Sequence, residues 1–163
     1  MKTIFEVIAD AQTRYPVDVE GLAKALGIKT RSFRMPSDVS GALICDEDGS
    51  YRIHVNSEHP LTRRRFTIAH ELGHYVLHRA MVGRGVNDNR AYRTTNQAEY
   101  YNPEIGPKQE TEANRFAASL LMPQELIDRL REHGMGVDAM ARALEVSNHA
   151  MHIRLGLPFN DAA

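Results

Sequence analysis

The sequence predicts a small α+β protein, and three observations carry that expectation. Apolar residues recur at helical spacing toward both ends of the chain. A stretch of alternating character, GALICDEDGSYRIHV, lies between them. The order is helices, hairpin, helices, rather than strand and helix in alternation. The 163 residues fit one domain over 1–163, with C-terminal helices over about 123–158 packed on it. With a formal net charge of −1, the chain has no global attraction to nucleic acid or anionic membranes. A lone cysteine, Cys45, excludes an intramolecular disulfide and reads as a small buried strand residue. Glu6 and Asp10 interrupt the first apolar residues, so no signal peptide is expected. No run approaches the ~20 apolar residues of a membrane span. A soluble cytoplasmic protein is the expectation.

Residues 2–13 read as a short helix, with Ile4, Phe5, Ile8 and Ala9 on one face, broken at Tyr15-Pro16. Asp18 is a candidate cap for a second helix, which buries Leu22, Ala23 and Leu26 and ends at Gly27. The hairpin turns at Asp48-Gly49 within a loop longer than two residues. In its second strand Tyr51, Ile53 and Val55 share one face; Arg52, His54 and Asn56 share the other. Thr62 is a plausible N-cap for a long helix running to about Arg79. Residues 80–108 form a long loop, a class of segment that is often functional. A helix begins near Lys108 and runs to Met122, QELIDRLREH forms another, and VDAMARALEVSNHAMHIRLG forms a last helical pair.

The long helix carries the chemistry. His70-Glu71-Leu72-Gly73-His74 is an HExxH motif. Histidines at i and i+4 lie one above the other, about 5–6 Å apart at Cβ, so both rings can reach one ion at about 2.0–2.1 Å. Glu71 is offset by about 100°, poorly placed to share the ion but near enough to act as a general base on water. Gly73 costs the helix roughly 1 kcal/mol against alanine, which makes sense if a backbone or a substrate comes close there.

A catalytic zinc needs a third protein ligand and an open position. KQETEANRFAASLLMP offers Glu110 and Glu112. Glu110 shares a face with Ala113, Ala117 and Leu120, and the alanines permit close helix packing. Glu112 lies roughly 200° away and reads as solvated. Facing favours Glu110 without excluding Glu112. Asn114, one turn after Glu110, is placed to orient a histidine. His78, one turn beyond His74, either supports the site or caps the helix C-terminus.

FTIAHELGHYVLH followed by ETEANRFAASLLMP resembles the ImmA/IrrE family of zinc metallo-endopeptidases. VDVEGLAKALGI, DVSGALI and ALEVSNHAMHIRLGL are similar to that family too, so the resemblance spans about Pro16 to Pro158. It implies a minimal zincin-like domain: a small antiparallel sheet, an active-site HExxH helix and a C-terminal helical, helix-turn-helix-like segment. It implies one Zn²⁺ held by His70, His74 and a downstream glutamate. The family pattern places that glutamate four residues before the asparagine of "AN", which is Glu110. It also implies a regulatory protein substrate, commonly a helix-turn-helix repressor encoded nearby.

Glu71 is then the expected catalytic base. Tyr92, Tyr100, Tyr101, His54 and His59 are candidates for stabilising the developing oxyanion. The strand Tyr51, Ile53, Val55 is a candidate edge on which a substrate peptide pairs. Arg63, Arg64 and Arg65 read as a solvated helix start or an acidic-segment contact. His149 and His152 read as surface residues, or less readily as a second metal pair. The final helical pair reads as packing, because its DNA-facing chemistry is thin. The competing function is a non-proteolytic zinc-bearing regulator or antitoxin-like binding partner; a DNA-binding regulator ranks behind both. Neither substrate identity nor oligomeric state is legible.

Overall fold

The computed structural model describes residues 1–82, 92–94 and 105–159, with residues 92–94 described by their backbone alone. The elements run α1 (Ile4–Ala11), α2 (Val19–Ala25), β1 (Lys29–Phe33), β2 (Val39–Cys45), β3 (Tyr51–Asn56), α3 (Leu61–Leu77), a 3₁₀ turn (Arg79–Met81), β4 (Tyr92–Thr94), α4 (Pro107–Leu121), α5 (Gln124–Glu132), α6 (Val137–Leu144) and α7 (Asn148–Leu155). The expected α+β class and helical ends are present.

Local chemistry accounts for most boundaries. Thr3 and Glu6 close a capping box on α1. Asp18 accepts from Gly21 N at 2.9 Å, and Gly27 leaves α2 with φ +77. Ser147 caps α7 through Ala150 N. The expected Thr62 cap is not used. The helix starts earlier, at Leu61 after Pro60, and carries no side-chain cap. Pro107 supplies the N1 position of α4.

The sheet is mixed, with order β1-β3-β2-β4. The β2–β3 hairpin is antiparallel as expected, with Leu43 opposite Ile53 and Gly41 opposite Val55. β4 pairs antiparallel to β2. β1, which the sequence pattern did not announce, pairs in parallel with β3. This corrects one expectation directly. The strand Tyr51–Val55 is enclosed between β1 and β2 and has no free edge, so Tyr51, Ile53 and Val55 cannot pair with a substrate peptide.

One continuous apolar cluster extends from Val17 to Met151. Leu43, Ile53 and Val55 from the sheet meet Ile68 and Leu72 from α3 inside it. At Gly41 a Cβ would lie 2.6 Å from Thr67 Cγ2, so the missing side chain lets α3 lie flat under β2. The other side of α3 receives α4, whose Ala113 and Ala117 are fully buried. At Gly73 a Cβ would lie 3.1 Å from Phe116 Cδ1 and 3.2 Å from the Cα and O of Ala113, a tight fit, so the glycine eases the close approach of α4. Among the described residues no helix is long and apolar enough to cross a membrane.

Candidate metal centre

The close α3–α4 contact brings the HExxH face against α4. His70 and His74 sit with their Nε2 atoms 3.1 Å apart. Glu110 reaches both: Oε2 lies 3.1 Å from His70 Nε2, and Oε1 lies 3.9 Å from His74 Nε2. One ligand atom from each residue falls within 4.8 Å of the others. Tetrahedral zinc with bonds near 2.0–2.1 Å separates its ligands by about 3.3 Å, so these spacings suit a single ion.

The hydrogen bonds behind the rings select the tautomers. His70 Nδ1 donates to Asn114 Oδ1 at 2.8 Å, so in the neutral ring the Nε2 lone pair turns toward His74 and Glu110. His74 Nδ1 lies 2.9 Å from His78 Nδ1, and His78 Nε2 donates to Glu112 Oε2 at 2.7 Å. With its proton on Nε2, a neutral His78 offers Nδ1 as an acceptor, so His74 carries its proton on Nδ1 and its Nε2 lone pair faces His70. Two lone pairs and a carboxylate therefore converge. Such a donor set is held together by a shared proton or by a cation among its members. The residues fit a divalent metal.

Burial differs across the centre. His74 is fully buried, while the His70 side chain is 13% exposed and that of Glu110 34%, so the centre opens on the His70–Glu110 side. Glu71, next to His70, is buried at 2% exposure. Asn114 bonds His70, and Glu110 faces both histidines. Glu112 does not: it accepts from His78 rather than facing only solvent, and that bond, ahead of any other cause, holds its carboxyl below the usual range. The signal that would have found it is His78 itself, on the same stripe as His70 and His74 and requiring an acceptor when buried. His78 was expected either to support the site or to cap the helix, and the structure gives its position and its contacts. It is the C-cap residue of α3, and its buried ring contacts His74.

Other candidates lie elsewhere. His54 occupies the sheet face opposite α3, with its ring edge-on to Phe33 at 4.7 Å and beside Arg31 and Arg52. Strand alternation puts Ile53 and Val55 toward α3 and His54 away from it, so His54 is no oxyanion donor. Burial first, then the two arginines, lower its pKa to about 4. His59 Nε2 donates to Ser37 O at 3.0 Å, pinning the loop before α3, and does not join the metal centre. Tyr92 stands in β4 opposite Ala42. Tyr100 and Tyr101 lie outside the described residues, as does most of the 80–108 segment.

The arginine triplet is not simply solvated. Arg65 is 9% exposed and donates to Glu145 O and Leu144 O at the end of α6. Arg63 donates to Ser40 Oγ. His149 and His152 flank the ring of Phe159 at 4.9 and 5.1 Å, which accounts for both without a metal.

Comparison with known proteins adds three findings. No functionally curated protein matches the chain. Its fold is similar to that of a Mycobacterium tuberculosis transcriptional regulator, at a TM-score of 0.64 and 16% identity. The match covers 98% of this chain and 47% of that one, so the chain spans about half the length of the regulator. The IrrE N-terminal-like domain, a peptidase family, matches residues 23–156. The HExxH helix, the facing glutamate and the helices that enclose them all fall within that span, and the chain belongs to the IrrE N-terminal-like domain family.

Proposed function

We propose that the protein is a zinc-dependent endopeptidase that cuts a flexible segment of a regulatory protein. One observation carries the reading most: His70 and His74 turn their Nε2 atoms together at 3.1 Å, each ring held from behind, with the Glu110 carboxylate alongside. Family membership supports a peptidase.

His70, His74 and Glu110 would hold one Zn²⁺. The chemistry zinc supplies when bound is Lewis acidity, which polarises a carbonyl and lowers the pKa of water to about 7. Glu71 takes the proton from the attacking water and delivers it to the leaving amine. Its burial suits this role, because a water-poor surrounding strengthens the attraction between its charge and the moving proton. Asn114 holds the His70 ring, and the Glu112–His78 pair holds the His74 ring, so neither has to reorganise during turnover. A helix-turn-helix repressor is the substrate class we favour. The likeness to a protein named as a transcriptional regulator supports a regulatory setting.

The test is co-incubation of the zinc-loaded protein with a repressor encoded beside it. Wild type should cut it once or at few sites, and Glu71→Gln should keep zinc and cut nothing. Full biological function in the Glu71→Gln variant would contradict proteolysis and favour a binding role.

A further inference from the structure

A groove of about 740 Å³ lies between α3, α4 and α7. Phe66, Ala118, Met122, Val146 and Ala150 give it an apolar floor, and Ile153, 66% exposed, stands at its margin. Arg63, Arg115 and Arg154 line it, and among the described residues no carboxylate does. Arg63 and Arg154 donate within the protein to Ser40 Oγ and Met122 O, both neutral acceptors, so those bonds leave their charges uncompensated.

The groove adjoins the metal centre on the Nδ1 side of His70. Asn114 belongs to both, accepting from His70 while lining the groove. Phe66 lies one helical turn before His70, and Asn114 one turn after Glu110. From Asn114 to Met122, α4 rises about 12 Å, the length of about three or four extended residues.

We propose that this groove holds the substrate segment on one side of the scissile bond, and that it selects an extended segment with large apolar side chains and carboxylates. The proposal rests on reading the centre as a peptidase site. Apolar side chains displace water from the floor. Carboxylates answer the three arginines, whereas a lysine-bearing segment meets like charge.

The test separates binding from cleavage. Two fluorescein-labelled octapeptides share a Leu-Phe pair and differ in carrying two glutamates or two lysines. Their binding to zinc-loaded Glu71→Gln protein is measured by polarisation. The glutamate peptide should bind at least about 10-fold more tightly, and less so as salt rises. Ile153→Asp and Arg63→Glu change exposed side chains, and each should weaken that binding about 10-fold with zinc content and melting temperature unchanged. Equal binding of the two peptides, or indifference to both variants, overturns the proposal. Selective binding without cleavage by the wild type supports the groove and contradicts the peptidase reading. Cleavage without the acidic preference does the reverse.

Discussion

His78 donates from Nε2 to the Glu112 carboxylate across 2.7 Å, and that bond decides which nitrogen His78 turns toward His74. With its other nitrogen accepting, His74 must carry its proton on Nδ1, and Nε2 is left for a metal. Removing the carboxylate loosens this choice. Glu112→Ala should weaken zinc binding about 10-fold, and His78→Phe about 10–100-fold. Glu112→Gln keeps an acceptor oxygen and should stay near wild type. Chelator competition at fixed pH measures all three, and melting of the metal-free proteins separates lost affinity from lost folding.

The Gly73–Ala113 approach sets the distance between the two ligand-bearing helices. A Gly73→Val side chain has no room against the Cα and O of Ala113, so α4 must move outward and take Glu110 with it. Zinc affinity should fall by more than about 10-fold, with the helical content by circular dichroism retained. Unchanged affinity would show that Glu110 is not held by this contact.

Arg65 joins α3 to the last carbonyls of α6. Arg65→Met keeps much of the apolar stem and removes the donors, leaving Leu144 O without its partner in the interior. A loss of about 1–3 kcal/mol is expected, read by urea unfolding, with zinc stoichiometry intact.

His54 should weaken the fold in mild acid. Its folded pKa of about 4 lies below its ordinary value of 6.5, so between these values the unfolded chain binds a proton that the native protein refuses. Stability therefore falls as pH drops from 6.5 toward 4, and this contribution levels off below. Its size is on the order of a few kcal/mol. His54→Gln should flatten that part of the stability–pH curve, as urea midpoints at pH 7 and 4.5 would show.

What was legible in the sequence was local. The spacing of His70, Glu71 and His74, the Asp18 cap, the Ala113–Ala117 face and the Glu110–Asn114 step each follow from helix geometry alone. What was missed depended on partners distant in the chain. β1, KTRSF, is mostly exposed and lacks apolar alternation, so nothing local marked it as a strand. Its pairing is what encloses β3. Alternation separated His54 from Ile53 correctly, but which sheet face α3 covers is a tertiary fact. Helical angle from Glu110 reads Glu112 as solvated, but α4 meets α3 along several turns, so residues on different sides of it reach His70 and His78.

The most direct test is zinc content after equilibrium dialysis, compared across wild type, His70→Ala, His74→Ala, Glu110→Ala and Glu112→Ala. One zinc per chain is expected in wild type, near zero in the first three variants and a weakened but present site in the last. Retention of a full zinc by Glu110→Ala, or its loss from Glu112→Ala alone, would contradict the ligand set on which the account stands.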